Sequence, residues 1–242
     1  MPVCQKIDRS FFSRLSEMGP EDVCRRTGAV HDPATNRYRI TVFGRVYEVD
    51  PTGDIHVLDI MHVPDTDVPY TDVKDKDVTD MEVPDIDAAG RETGKPPLKR
   101  MRPVSVELGL VILFYLLEAQ DIPVSDRWIN EFSLKGGALF FRGPHAIRNH
   151  EIAARYGRDP AGFEEVCTRL GGRPIHMGDA AFRFQALPRI PLVVVLWYGD
   201  EEFEASAKLL MDSTIDSHLP LDVIYALGVE LVDMLTGCTE EV

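Results

Sequence analysis

Recognisable chemistry is what this sequence has least of. It contains no G-x-S-x-G, no P-loop, no G-x-G-x-x-G and no H-E-x-x-H, which removes the usual signatures of hydrolases, NTPases, dinucleotide enzymes and zinc proteases. Cysteine is sparse and scattered: Cys4, Cys24, Cys167 and Cys238 form no C-x-x-C and no Cys–His pair at zinc spacing, so no metal site and no cofactor are expected of the chain itself. Reduced thiols in a cytoplasmic protein are the simple reading. The opening "MPVCQKIDRSFF" agrees, since it lacks the basic-then-apolar order of a secretory signal. Long apolar runs are missing too; "LGLVILFYLL", Leu108 to Leu117, falls short of the ~20 residues needed to span a bilayer and reads as a core helix, with no membrane role. Basic charge is also short, 26 Lys and Arg against 40 Asp and Glu for a net −14, which argues against nucleic acid as a partner because that affinity comes from cations neutralising phosphates.

What is present is regular. From 63 to 87 the chain reads "VPDTDVPYTDVKDKDVTDMEVPDID", with Val63, Val68, Val73, Val78 and Val83 opening five-residue units and Asp67, Asp72, Asp77, Glu82 and Asp87 closing them. Eight Asp and one Glu against Lys74 and Lys76 give this stretch a net −7, half of the whole charge. A period of five fits neither the helix nor the strand repeat, so the valines cannot share one face of either. Proline at 64, 69 and 84 points the same way, and extended or disordered chain is expected. The glycines of a calcium-binding roll or an EF-hand are absent from it. A solvated insert is the favoured reading, with weak cation binding or an acidic docking strip as the alternatives. A basic stretch, "RETGKPPLKRMR", follows and can screen it locally.

Around this insert the pattern is that of an ordinary fold. "KIDRSFFSRLSEM" and "GPEDVCRR" predict two short opening helices, the second with Pro20 in its first turn. "YRITVFGRVYEVD" alternates on both sides of Phe43-Gly44 and predicts a β-hairpin. "PVSVELGLVILFYLLEAQ" is apolar nearly all round, the mark of a helix deep in a core. Gly136-Gly137 is expected to turn into a short apolar strand, and "GPHAIRNHEIAARYG" and "DPAGFEEVCTRLGG" each carry Pro near the start and Gly past the end of a helix, with Asp159 as N-cap of the second. An edge-like strand over Phe182 to Ala186 and a fully buried one over Leu192 to Tyr198 follow, joined through "LPRIP". Ile224, Leu227, Leu231 and Leu235 then stripe a last helix, capped by Ser217 or His218 and stopped by Gly237. Helices and antiparallel hairpins in blocks indicate α+β. The expectation is one domain over residues 1–242, with β-hairpins packed on several helices and a flexible acidic insert with its basic linker at 62–100.

The segments "RITVFGRVYEV", "LFYLL" and "LGGRPIHMGDAAFRFQALPRIPLVVVLWYGDEEFEASAKLLMD" resemble an uncharacterised prokaryotic family, the domain of unknown function numbered three-seven-eight-six, found largely in anaerobes. The resemblance covers nearly everything outside 62–100, and Gly-Asp-Ala-Ala-Phe and Leu-Pro-x-Ile-Pro are its most specific parts. Some relatives are joined to iron–sulphur cluster domains, which implies a redox or corrinoid-related setting. This chain lacks the clustered cysteines of such a domain, so the resemblance implies an iron–sulphur or corrinoid protein as a separate partner. Relatives also run from hairpin to core helix through a short connection, which makes the pentapeptides a local expansion.

Candidate site residues come from carboxylates and cations near strand ends. Asp200, Glu201, Glu202 and Glu204 follow the buried strand; such carboxylates can bind a metal or work as acid and base, or simply make a solvated turn. Alternation favours Asp200 with Glu202. Asp179 suits a turn, and equally a pairing with Arg183 or Arg189 around an anionic ligand. Asp212, Asp216 and His218 lie within seven residues, either capping a helix or forming an Asp–His general base. His145 and His150, five apart on a predicted helix, sit about 140° round its axis and cannot share a metal. Trp128 and Trp197 read as core or pocket-wall residues, since no basic residues interleave with them. The catalytic candidates are therefore Asp179, Asp200 and His218, and the ligand-binding candidates Arg183, Arg189, Glu202 and Asp212. Two functions fit: a non-catalytic accessory or binding module beside anaerobic redox or cofactor enzymes, or an enzyme on a small anionic metabolite.

Overall fold

The computed structural model describes residues 7–58 and 101–237. The pentapeptide repeat, the basic stretch as far as Arg100, Cys4 and Cys238 lie outside the described residues.

Two short helices come first. Helix α1 (Arg9–Glu17) starts where the Asp8 carboxylate accepts the Ser10 N–H at 2.9 Å, and α2 (Pro20–Thr27) starts on Pro20, whose missing N–H costs nothing in a first turn. Gly28 ends α2 in the left-handed region at φ 71°, and a Cβ there would stand 3.0 Å from Pro188 Cβ. Glycine is thus needed twice over, for the backbone and for the approach of the turn at Pro188.

A first sheet is a five-stranded antiparallel meander of β1 (Val30–Asp32), β2 (Arg37–Val42), β3 (Arg45–Asp50), β4 (Asp54–Leu58) and β5 (Met101–Pro103). The predicted hairpin at Phe43-Gly44 joins β2 to β3, pairing Val42 with Arg45. Tyr38, Ile40, Val42, Tyr47, Val49 and Ile55 are buried, while Glu48 on the opposite face is held by Arg37 at 2.8 Å and Arg39 at 3.2 Å. Leu58 pairs with Met101, so the chain leaves and re-enters this sheet on neighbouring strands.

Helix α3 (Val106–Glu118), capped by Ser105 through the Leu108 N–H at 3.1 Å, is the apolar helix of the sequence, and it runs through the middle of the core. A second five-stranded antiparallel sheet has the order β6 (Trp128–Ile129), β10 (Ser206–Asp212), β9 (Ile190–Trp197), β8 (Ala180–Leu187), β7 (Arg173–Pro174). Its inner face, with Phe182, Phe184, Leu192, Val194, Leu196 and Leu209, joins the same apolar cluster as the first sheet and the helices. The Phe43 N–H donates to the Ala186 carbonyl at 3.1 Å where the two sheets meet. Helices α5 (Asn149–Tyr156), α6 (Pro160–Arg169) and α7 (Leu221–Thr236) complete the packing. The shared core makes this a single α+β domain. Among the described residues no helix is long and apolar enough to cross a membrane.

Several local expectations differ from the structure. The residues after Gly136 form a short helix, α4 (Gly137–Phe140), and no strand, because the Gly137 and Phe141 N–H groups find carbonyl partners within the segment itself, at Leu134 and Gly137. Gly143-Pro144-His145 is a 3-10 turn and α5 begins only at Asn149, so His145 and His150 do not share a helix. Strand β8 is bordered by the two-residue β7 and is not itself the edge. Pro220 precedes α7 with no side-chain cap; Ser217 closes a 3-10 turn, and His218, just after it, faces inward. The Asp159 cap is as expected, its carboxylate accepting the Gly162 N–H at 3.0 Å.

Candidate functional site

A concavity lies where the α5–α6 turn meets the chain leaving β9. Gly157 closes α5, its N–H bonded to the Ala153 carbonyl at 2.8 Å and its own carbonyl accepting the Gly199 N–H at 3.0 Å. A Cβ at 157 would come within 2.1 Å of Ala205 Cβ, so only glycine lets the helix end touch the entry to β10. Opposite, Asp200 Oδ1 accepts the N–H groups of Glu202 at 2.8 Å and Phe203 at 2.7 Å, an Asx turn. These backbone bonds, Phe203 first, hold its carboxyl below the usual range. Asp179 Oδ2 accepts the Tyr198 N–H at 2.8 Å. Burial raises the Tyr198 hydroxyl, with Asp179 and Glu164 adding to it. The resulting cleft, about 550 Å³, is lined by Gly157, Arg158, Pro160, Tyr198, Asp200 and Glu201. It is open and bears one cation, Arg158, against two carboxylates.

The remaining candidates lie elsewhere, each bound into the scaffold. Arg189, in the β8–β9 turn, donates to the carbonyls of Arg26 at 2.7 Å, Arg25 at 2.9 Å and Ile122 at 3.1 Å, and to Asp121 at 2.6 Å. It thereby caps the C-terminal end of α2, where a positive charge also suits the helix dipole. Its N–H donates to the Tyr115 hydroxyl at 3.0 Å, which in turn donates to the Thr27 carbonyl at 3.1 Å. His218 is buried nearby, its ring centroid 6.2 Å from that of Tyr115. Nδ1 accepts the Gln120 N–H at 3.2 Å, which places the proton of the neutral ring on Nε2; Nε2 has no partner among the described residues. Burial, then Arg189, depress the His218 pKa in spite of Asp212 and Asp216. Asp212, also buried, accepts from the Thr214 hydroxyl at 2.6 Å and N–H at 3.0 Å, and from the Ser125 N–H at 3.2 Å and hydroxyl at 3.0 Å. Burial pushes its carboxyl up, but these bonds outweigh burial and hold it low.

Three constellations that the sequence left open beside a structural reading do not form. Asp212 and His218 bond different partners and make no dyad. Asp179 pairs with neither arginine: Arg183 faces Asp126 at 3.7 Å and Arg189 faces Asp121. Residues 201–203 bend, so alternation does not carry Glu202 to the side of Asp200. Of these candidates Asp200 alone lines the cleft, with Asp179 bonded to the N–H of the lining residue Tyr198; His218 and Asp212 are buried and Arg189 is partly buried in the β8–β9 turn; Arg183 stands apart on the outer face of the second sheet. Among the described residues no group of three or more His, Cys, Asp or Glu is placed to hold a metal.

The tryptophans depart most from expectation. Trp128 and Trp197 both pack on the small outer cluster of Ala181, Val193 and Val195, and each has a cation over its ring: Arg183 at 5.8 Å from Trp128, Lys208 at 5.6 Å from Trp197. The basic partners come from other strands of the sheet, Lys208 from the neighbouring β10 and Arg183 from β8, three strands from β6, out of reach of any interleaving in the sequence. Arg158, the cleft's cation, carried no signal beyond its place between two predicted helices.

A family model described as Domain of unknown function (DUF3786) matches residues 86–234, more than half of the chain. The match takes in α3, the whole second sheet and nearly all of α7, and leaves out β1 to β4, so the likeness drawn from "RITVFGRVYEV" lies outside it. No curated protein and no solved structure matches the chain.

Proposed function

The chain belongs to the DUF3786 family of domains of unknown function, and from that premise we propose that it works as a non-catalytic accessory or binding module. One observation carries the reading: Asp200, Asp212 and Arg189 spend their charge on backbone N–H or carbonyl groups that hold turns and a helix end. A catalytic acid, base or anion clamp needs such groups free and converging on one pocket. Service beside anaerobic redox or cofactor-handling enzymes, in the cytoplasm and with an iron–sulphur or corrinoid protein as partner, is the setting that the family resemblance favours. The alternative, an enzyme on a small anionic metabolite, draws its support from the cleft beside Arg158.

Anaerobic purification followed by native mass spectrometry and metal analysis separates the two. The bare chain mass together with a retained partner polypeptide is expected. A stoichiometric small molecule, lost in Arg158→Ala, would overturn the binding reading in favour of the enzyme.

A further inference from the structure

The outer face of the second sheet is built differently from the rest of this acidic molecule. Arg173 on β7 and Arg183 on β8 are register partners, so their side chains leave the same face side by side. Like charges directly opposite one another on a sheet are destabilising unless something anionic relieves them. The relief within the described residues is slight. Arg183 has Asp126 at 3.7 Å, and that aspartate is 70 % exposed; the buried Nε of Arg183 has no hydrogen-bond partner. Arg173 has no ion-pair partner among the described residues. Lys208, two strands across, leans on Trp197.

Between these cations lies apolar surface. Trp128, Ile175, Met177, Trp197 and Leu210 are only partly buried on this face, and among the described residues the helices pack on the inner side of the sheet. Tryptophan, methionine and arginine together are the composition of interface cores.

We propose that this face is the docking surface for an acidic polypeptide segment of a partner protein. The proposal rests on the binding-module reading and names the chemistry of the partner. Arg183 is level with Val193 and Lys208 with Val195, so the two cations are offset by two residues along the strands and two strands across, roughly 12 Å at Cα from standard sheet spacings. Carboxylates about three to four residues apart in an extended chain match that separation, with apolar side chains between them meeting Trp128, Trp197 and Leu210.

Trp128 and Trp197 are the protein's two tryptophans, so tryptophan emission reads this face directly. The probe is a synthetic peptide with the sequence of residues 63–87, added to the full chain. A saturable emission change is expected, weakening as salt rises from about 0.05 to about 0.3 M because the contact is ionic. Affinity should fall roughly tenfold or more in the double variant Arg173→Ser, Lys208→Ser, whose sites are exposed and whose fold is checked by far-UV circular dichroism. A peptide with every Asp and Glu replaced by Asn and Gln should not bind. Equal binding of that neutral peptide, or no emission change with either peptide, overturns the proposal. Binding that appears only after residues 63–87 are deleted from the chain also overturns it, because the chain's own segment is then the occupant. If a partner is retained in native mass spectrometry while the peptide fails here, the face is wrong and the binding-module reading stands.

Discussion

Replacing Arg189 by alanine should cost stability and leave binding alone, the reverse of what a ligand-binding arginine would do. Its guanidinium serves three backbone carbonyls, Arg25, Arg26 and Ile122, as well as Asp121. Hydrogen bonds from a charged donor contribute about 1.5–3 kcal/mol each when buried. The side chain is 25 % exposed and Asp121 38 %, so water can partly replace what is lost and the ion pair itself adds at most about 1 kcal/mol. Discounted for that exposure to about 1 kcal/mol for each carbonyl, the loss is roughly 3 kcal/mol. For a chain of this size that lowers Tm by about 6–12 °C. Arg189→Lys keeps the charge but cannot span acceptors from α2 and the 121–122 segment at once, so it should recover less than half of the loss. Thermal and urea denaturation of the three proteins measure this. An alanine variant within about 1 kcal/mol of the parent would refute the clamp, as would a lysine variant as stable as arginine.

Three further expectations can be checked on the same footing. Asp212→Asn should destabilise by about 2 kcal/mol, because the amide's NH₂ group cannot accept the Ser125 and Thr214 donors that surround the carboxylate. Since the folded carboxyl is depressed from 3.8, its stabilisation is complete above that value and is lost as pH falls through the lower folded value; unfolding from pH 6 down to pH 3 should show a shallower acid limb in the variant. His218 is depressed from 6.5 by burial and by Arg189, so the unfolded chain takes up its proton first and stability falls as pH drops below about 6.5. His218→Gln should flatten that part of the profile, and an unchanged slope between pH 7.5 and 5.5 would count against a buried neutral imidazole. Gly157→Ala must displace either the end of α5 or Ala205, at a cost of roughly 1–3 kcal/mol; a variant as stable as the parent would mean that the close approach of α5 and β10 is dispensable.

Elements whose cause is local were legible along the chain. Pro20 and Asp159 start helices, Phe43-Gly44 turns a hairpin, and the apolar residues of Val106–Glu118 require burial on every side; each follows from backbone dihedrals, capping or periodicity within a dozen residues. The α+β class followed from the order of those elements. Where several weak local preferences competed, tertiary contacts decided: Gly137–Phe140 became a helix turn, and His218 went inward to take the Gln120 N–H when it could have capped α7. The roles of the polar candidates were decided entirely at that level. Arg189 meets α2 across more than 160 positions of chain, Asp212 meets Ser125 across 87, and Trp128 and Trp197 acquire Arg183 and Lys208 from other strands. A charged side chain reaches several ångströms in any direction, and which backbone group or ring it finds there depends on how strands and helices are stacked. Spacing along the chain carries that information only inside a single element.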